Sequence, residues 1–330
     1  MIPRLLLVGG PGGSGSSTWA ARLADSWAEQ GHRVAVTAVD PVFGAHRLVT
    51  HEGASPVRHQ PQLPAALQSA ARSWRFDPFV AQELLHRLDG PAVLWQLPEL
   101  LDRFDRVVVD AGATLGRLLL TAHALPWALD EAGPLHGGWL RATRPVTALA
   151  MGGAAIGKAG GEQLAAVTRR AEELSQVVIS GETAVVLSSG APAEKVRHAA
   201  AAVSLAQARL GATVGAASDE HLDGARHAPH APHLPHWVDL PTGWDTDLAD
   251  PDRDVEIRGG ARDDEVLWRI PLPFNSFEEI DLDQSAARLV IGAHGHRRTF
   301  VLPSLLSRYV ADRANLRHGI LEVTFRPENA

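Results

Sequence analysis

The sequence predicts an α/β protein, a doubly wound and mostly parallel sheet with helical insertions, followed by a small C-terminal β-sandwich. Three observations predict it. Short continuous apolar runs alternate with helical patterns over the first two thirds of the chain. A glycine-rich turn joins the first apolar run to the first helix, and from about Gly260 the pattern changes to brief period-two alternation. At 330 residues, 45% of them hydrophobic, the chain can bury one large core and one smaller one.

In chain order, residues 5–8, 34–38, 107–109 and 184–187 read as strands buried on both faces, because each is apolar apart from Thr37 and ends at a turn or charged residue. Residues 212–216 and 237–240 are weaker strand candidates. Residues 18–30 and 193–210 carry helical periodicity and are closed by Gly31 and Gly211, where glycine takes a left-handed conformation without strain. The Ala- and Leu-rich stretches of about 63–101 and 115–174 read as helices inserted in this scaffold. The expected boundaries are a sheet domain over 1–250, an acidic, turn-rich linker over 251–262 and a β-sandwich over 263–330, with strands at 266–270, 288–291, 299–302 and 320–325.

Composition narrows the function. A net charge of -7 leaves no broad cationic surface, which argues against a nucleic-acid partner. The chain has no cysteine, which excludes disulfides and thiolate metal ligands. No apolar run reaches the ~18 residues of a transmembrane segment, and the N-terminus is expected to enter a strand by Arg4 without a leader, so a cytoplasmic location is expected.

The chemistry concentrates in LLLVGGPGGSGSSTWAA, residues 5–21. A strand, a run of glycines, hydroxyl residues and a helix in this order aim backbone N–H groups at a polyphosphate. The candidate site is Gly12, Gly13, Gly15, Ser16, Ser17 and Thr18, with Asp40 after the second strand and Asp110 at the end of the third. The expected cofactor is ATP or ADP with magnesium, bound weakly or not at all, and Thr18 and Asp110 are the expected magnesium residues if nucleotide binds.

These segments together resemble the ArsA-type anion-pump and tail-anchored-protein-targeting ATPases, which share a P-loop NTPase fold and a deviant Walker A motif, K-G-G-x-G-K-T-T. Pro11 stands where that pattern has the lysine that reaches across a dimer, and Ser16 where it has the lysine that bridges phosphates. Val39-Asp40-Pro41 is similar to the family's first switch, but Arg47 replaces the aspartate that orients water, and arginine cannot act as a base. Asp110-Ala111-Gly112-Ala113-Thr114 is similar to the second switch, and Ala216-Ala217-Ser218 lacks the asparagine that reads adenine. Cations at such sites contribute about 10³ to 10⁵ in rate, so the substitutions imply a pseudo-ATPase that acts as a binding or assembly subunit. The resemblance further implies a homodimer, or a heterodimer with an active paralogue, and a hydrophobic or membrane-protein client. The alternative is a working ATPase with a substitute cation from a partner or from Arg47. Arg297–Pro303 and Ala314–Val323 resemble the small heat-shock-protein (α-crystallin-like) domain fused to some ArsA-type proteins, either an interaction module or a stabilising cap.

Three other patterns are discounted. Residues 152–159 nearly repeat a phosphate loop around Lys158 but end in Ala159 instead of a hydroxyl residue. His227, His230, His233 and His236 recur every third residue, which in an extended polyproline helix spaces the rings about 9 Å apart, too far to share one ion. Trp74, Trp95, Trp127 and Trp139 read as core before they read as a client groove.

Overall fold

The computed structural model describes residues 3–40, 42–57, 90–129, 158–180, 182–208, 210–214, 256–259, 264–285 and 288–327. Six strands, β1 (Leu5–Gly9), β2 (Val34–Ala38), β3 (Ala54–Pro56), β4 (Arg106–Gly112), β5 (Thr183–Ser188) and β6 (Leu210–Val214), form one sheet in the order β3-β2-β4-β1-β5-β6. Every neighbouring pair is parallel. Side chains alternate across a strand, and this sorts the apolar runs onto two cores. Leu6, Val8, Val36, Val108 and Val186 pack with Trp19, Ala20 and Ala24 of α1 (Ser16–Glu29). Leu5, Leu7, Val107, Val109, Val185 and Leu187 pack on the other face with four helices, α2 (Pro91–Arg103), α3 (Leu115–Leu129), α4 (Lys158–Ile179) and α5 (Ala193–Leu205). Burial on both faces is why these strands read as unbroken apolar runs. The helices described within the two Ala- and Leu-rich stretches lie directly on the sheet, with Leu94, Leu97, Leu118 and Leu119 fully buried.

Glycine closes one of the two helix ends at which the sequence places it. At Gly31, φ is 86°, its N–H donates to the Ala28 carbonyl at 2.9 Å and the His32 N–H to the Trp27 carbonyl at 3.2 Å, a Schellman closure at the expected residue. The second helix ends earlier than its periodicity predicts, at Leu205 instead of 210, and Leu210 opens β6. Here Gln207 takes the left-handed conformation, φ 56°, its N–H bonds to the Ser204 carbonyl at 2.8 Å and the Ala208 N–H to the Val203 carbonyl at 3.1 Å. The Gln207 amide also donates to the carbonyls of Ser204 and Pro271, so contacts from the distant C-terminal region fix this end.

The C-terminal region folds as two antiparallel sheets. One has the order β12 (Tyr309–Arg317), β13 (Ile320–Pro327), β8 (Val266–Pro271), β7 (Glu256–Arg258) and the other β11 (His296–Val301), β10 (Arg288–Ala293), β9 (Ile280–Ser285). β8 (Val266–Pro271), β10 (Arg288–Ala293), β11 (His296–Val301) and β13 (Ile320–Pro327) match the expected strands within a few residues. β9 (Ile280–Ser285) and β12 (Tyr309–Arg317) are additional, because both alternate apolar with charged or polar residues and carry little net hydrophobicity. β7 (Glu256–Arg258) lies inside the stretch expected as linker and pairs with β8. The strands β10 and β11 turn at His294-Gly295, and β12 and β13 at His318-Gly319, each a two-residue turn with positive φ at both positions, which matches the twist of the strands it joins.

The two regions share a seam. Leu205 of α5 belongs to the same buried cluster as Trp268, Ile291, Phe300 and Phe325, and Leu120 of α3 packs against both cores. The amide of Asn275 donates to the Ser204 hydroxyl at 2.9 Å.

Candidate functional site

Strand register brings the separated motif residues to one end of the sheet. Val8 and Ala38 both lie opposite Asp110, so the loop leaving β1, the segment leaving β2 and the end of β4 meet beside one another. Ligands in open α/β sheets sit in this crevice, at the carboxyl ends of the strands.

The glycines of the loop do two different jobs. A Cβ on Gly9 would lie 2.6 Å from Leu115 Cβ, and one on Gly10 would lie 2.7 Å from both Ser14 Oγ and the Ser188 carbonyl, so these two serve close packing under the loop. Gly12 and Gly13 are exposed, and nothing stands within 4 Å of a Cβ on either. Gly13 and Gly15 have φ of 81° and 84°, a conformation in which other residues are strained. Gly15 is the N-cap of α1 and makes no side-chain cap bond, and no acidic residue stands in the first turn. An open, uncapped helix start of this form is an outline for an anion.

The loop is pinned from below. The Ser14 N–H donates to the Pro11 carbonyl at 3.0 Å, and the Ser188 hydroxyl at the end of β5 donates to the Ser14 carbonyl. Ser188 lay outside the sequence-derived candidates, because a serine ending an apolar strand carries no motif. Ser16 is buried and places a short neutral hydroxyl where the resembling pattern has a lysine.

Asp110 is 4% exposed and its oxygens are engaged by the protein. The Ala45 N–H donates to Oδ2 at 2.9 Å, the Gly112 N–H donates to Oδ1 at 3.2 Å, and the Ser17 hydroxyl is a further partner. Burial pushes the carboxyl above the usual aspartate range and the charge of Asp40 adds to this, while the bonds from Ser17, Ala45 and Gly112 oppose it. Ser17 is thus an α1 hydroxyl that meets Asp110; Thr18, expected with Asp110 to hold magnesium if nucleotide binds, is the next residue of the helix, where successive positions project about 100° apart. Asp40 is exposed and its Oδ1 accepts the N–H groups of Val42 and Phe43 at 2.7 and 3.1 Å, a tight turn after β2. That turn leads to the Ala45–Arg47 helical turn, tied to β4 through Ala45, on which Arg47 is exposed. Val42, Phe43 and Leu48 are exposed as well, Phe43 to 78%.

Several sequence features lie outside the described residues: 216–218, 152–157, the histidines of 227–236, the strand candidate at 237–240, Trp74 and Trp139. Lys158 begins α4, and Trp95 packs half-buried against the core of the sheet. Among the described residues no group of three or more His, Cys, Asp or Glu is arranged to hold a metal ion, and no helix is long and apolar enough to cross a membrane.

Two comparisons bear on this geometry. Residues 263–325 match the family model of an HSP20-like domain found in ArsA. Over 98% of its length the chain is 31% identical to the uncharacterized protein SCO2128 of Streptomyces coelicolor, 98% of which is covered in turn.

Proposed function

The chain belongs to the ArsA-type proteins with a C-terminal HSP20-like domain, and from that membership we propose that it works by binding, as an assembly subunit with a degenerate nucleotide site, and not by turnover. The observation that carries this reading is the pairing of an intact backbone cradle with a neutral Ser16 and an Asp110 already held by Ala45, Gly112 and Ser17. The cradle fits a phosphate group: the N–H groups of Gly12, Gly13, Gly15 and Ser16 would receive its oxygens, with Gly12 and Gly13 leaving the approach open. Ser17 and Asp110 would hold magnesium, which when bound would neutralise phosphate charge, but only by giving up bonds they now make within the protein.

Three further features support a partner over this face. Val42, Phe43 and Leu48 expose apolar surface on the segment beside the cradle, in keeping with a homodimer, a heterodimer with an active paralogue, or a hydrophobic client. The test is ATP turnover by the purified protein against a buffer control, with calorimetric titration of ATP and ADP alongside. No turnover above control is expected. Magnesium-dependent turnover that disappears in Asp110→Ala would overturn the reading and favour an ATPase with a substitute cation.

A further inference from the structure

Histidines gather where the C-terminal sheets meet helices α3 and α5. The ring of His294, in the turn between β10 and β11, stacks on the ring of His198 of α5, with centroids 4.2 Å apart and planes 29° from parallel. The His294 side chain is 5% exposed, and its Nε2 lies 3.2 Å from Glu279 Oε2. That carboxylate is already committed: Arg197 of α5 donates to both its oxygens at 3.4 and 2.9 Å, and the Ser276 N–H donates to Oε2 at 3.1 Å. Two residues further on, His296 packs against α3 so closely that a Cβ on Gly116 would stand 3.2 Å from its ring. Arg117 is the neighbouring charge on that side.

We propose that this seam is a proton-operated latch, closed while His294 and His296 are neutral and loosened when they take up protons. The charge balance supports it. The groups that face the two rings are Arg197, His198 and, beyond it, Glu194 from α5, Arg117 from α3, and Glu279 from the C-terminal region itself. Arg298 and His123 complete the seam on its deeper side. Glu279 is the carboxylate in contact with His294, and Arg197 shares it. Protonation would place imidazolium ions against arginines and against the stacked His198 ring, in a place already sheltered from water. Burial holds both rings below the ordinary histidine range, for His294 against the pull of Glu279 and with help from His198, Arg197 and His296, and for His296 with help from His198 and Arg117. The sign follows: a neutral-preferring histidine stabilises the docked state above its unfolded value of about 6.5 and the stabilisation is lost as pH falls below it. Neither contact uses the phosphate cradle, so the latch stands independently of the nucleotide reading.

The test uses the full chain, which has no cysteine to interfere with labelling. Fluorophores attached at Gln30→Cys on the sheet region and Arg308→Cys on the sandwich, both exposed positions, report separation by energy transfer. Transfer is expected to change about two-fold between about pH 7.5 and pH 5.5 while far-UV circular dichroism stays constant. In His294→Asn/His296→Gln the change is expected to vanish; asparagine accepts the positive φ of 48° at 294. His198→Asn, at a half-exposed position, keeps the test open if the double variant does not fold, and is expected to reduce the change. Transfer that is constant with pH in the unsubstituted chain, that changes only together with loss of helix signal, or that responds equally in the histidine variants would overturn the proposal.

Discussion

Arg298 of β11 donates through Nη1 to the carbonyl of Leu205 at 2.9 Å, so a side chain of the C-terminal sandwich caps the last turn of α5. A cation at a helix C-terminus meets the negative end of the helix dipole. The guanidinium also lies 4.3 Å from the ring centroid of Phe300, and burial lowers its pKa to about 10, which still leaves it charged at neutral pH. The C-terminal region is thus fastened to the sheet region by side chains that complete secondary structure, in addition to the apolar contacts of Leu120 and Leu205.

Arg298→Ala is therefore expected to destabilise the whole chain by about 1.5 to 3 kcal/mol, the range for a hydrogen bond to a charged group. Urea unfolding followed by circular dichroism measures it. An unchanged midpoint would show that the cap contributes nothing beyond the apolar contacts. Arg298→Lys should restore only part of the loss, because an ammonium does not reproduce the planar stack on Phe300.

The two classes of glycine in the loop give opposite expectations. Gly10→Ala forces a methyl group to within 2.7 Å of the Ser188 carbonyl, a backbone atom, so the strand end must shift and the melting temperature should fall. Gly12→Ala meets nothing within 4 Å and should leave the melting temperature within about 1 °C, while narrowing the approach to the cradle and weakening any phosphate binding. Thermal melts of the two variants, with a phosphate or ATP titration of the second, separate packing from binding. If both variants melt alike, the division of roles is wrong.

Where the signal was local, the sequence was informative. Gly31 announces the end of α1 because a left-handed residue is needed there and glycine takes it freely. The order of strand, loop and helix around Gly12 and Gly13 is a local signal, although distant residues complete the loop's geometry. Legibility ends where distant residues decide. At the end of α5, Gln207 adopts the left-handed conformation that the sequence pattern assigns to Gly211, and the contacts from Pro271, Asn275 and Arg298 that hold this end come from more than sixty positions away in sequence. The bond from Ser188 to Ser14 spans 174 positions, and no spacing rule reports it. That Ser17 meets Asp110 depends on the orientation of α1 on the sheet. β9 and β12 were hidden for another reason: Ile280 and Leu282 alternate with aspartates, and Tyr309–Arg317 carries charges along an edge, as exposed strands do.

His123 predicts a pH dependence of its own. Its Nε2 faces the Ala206 carbonyl at 2.6 Å and its Nδ1 faces the Ser175 hydroxyl at 3.3 Å, an arrangement that suits a neutral ring with its proton on Nε2. Burial first, and the charge of Arg298 second, lower its pKa to about 3, against a weaker upward pull from the Ala206 carbonyl. The folded value lies below the unfolded one, so the unfolded chain binds the extra proton and stability falls as pH drops from about 6.5 toward 3. His123→Gln, which retains a donor and an acceptor, should flatten this decline by up to one proton, about 1.4 kcal/mol per pH unit. Urea unfolding at two pH values inside the window measures the slope, and a slope equal to that of the parent chain would count against the assignment.

The last prediction concerns the missing cation. The loop offers backbone N–H groups and an open approach at Gly12 and Gly13, but Ser16 is neutral at the first position of α1. Ser16→Lys supplies a positive charge at the helix start, beside the N–H groups that would receive a phosphate. Titration of ATP with magnesium by calorimetry is expected to show little or no binding to the parent chain and at least about ten-fold tighter binding to the variant, equivalent to about 1.4 kcal/mol. The gain should remain modest, because magnesium must still compete with Ala45, Gly112 and Ser17 for Asp110. Arg47 provides the control. It is exposed on the turn tied to Asp110 through Ala45, and Arg47→Asp removes the cation nearest in sequence to that tether. If the parent chain binds ATP tightly and Arg47→Asp abolishes the binding, Arg47 is the substitute cation and the site is a rebuilt nucleotide pocket. If Ser16→Lys alone creates the binding and Arg47→Asp leaves it intact, the cradle has kept its shape and lost its charge.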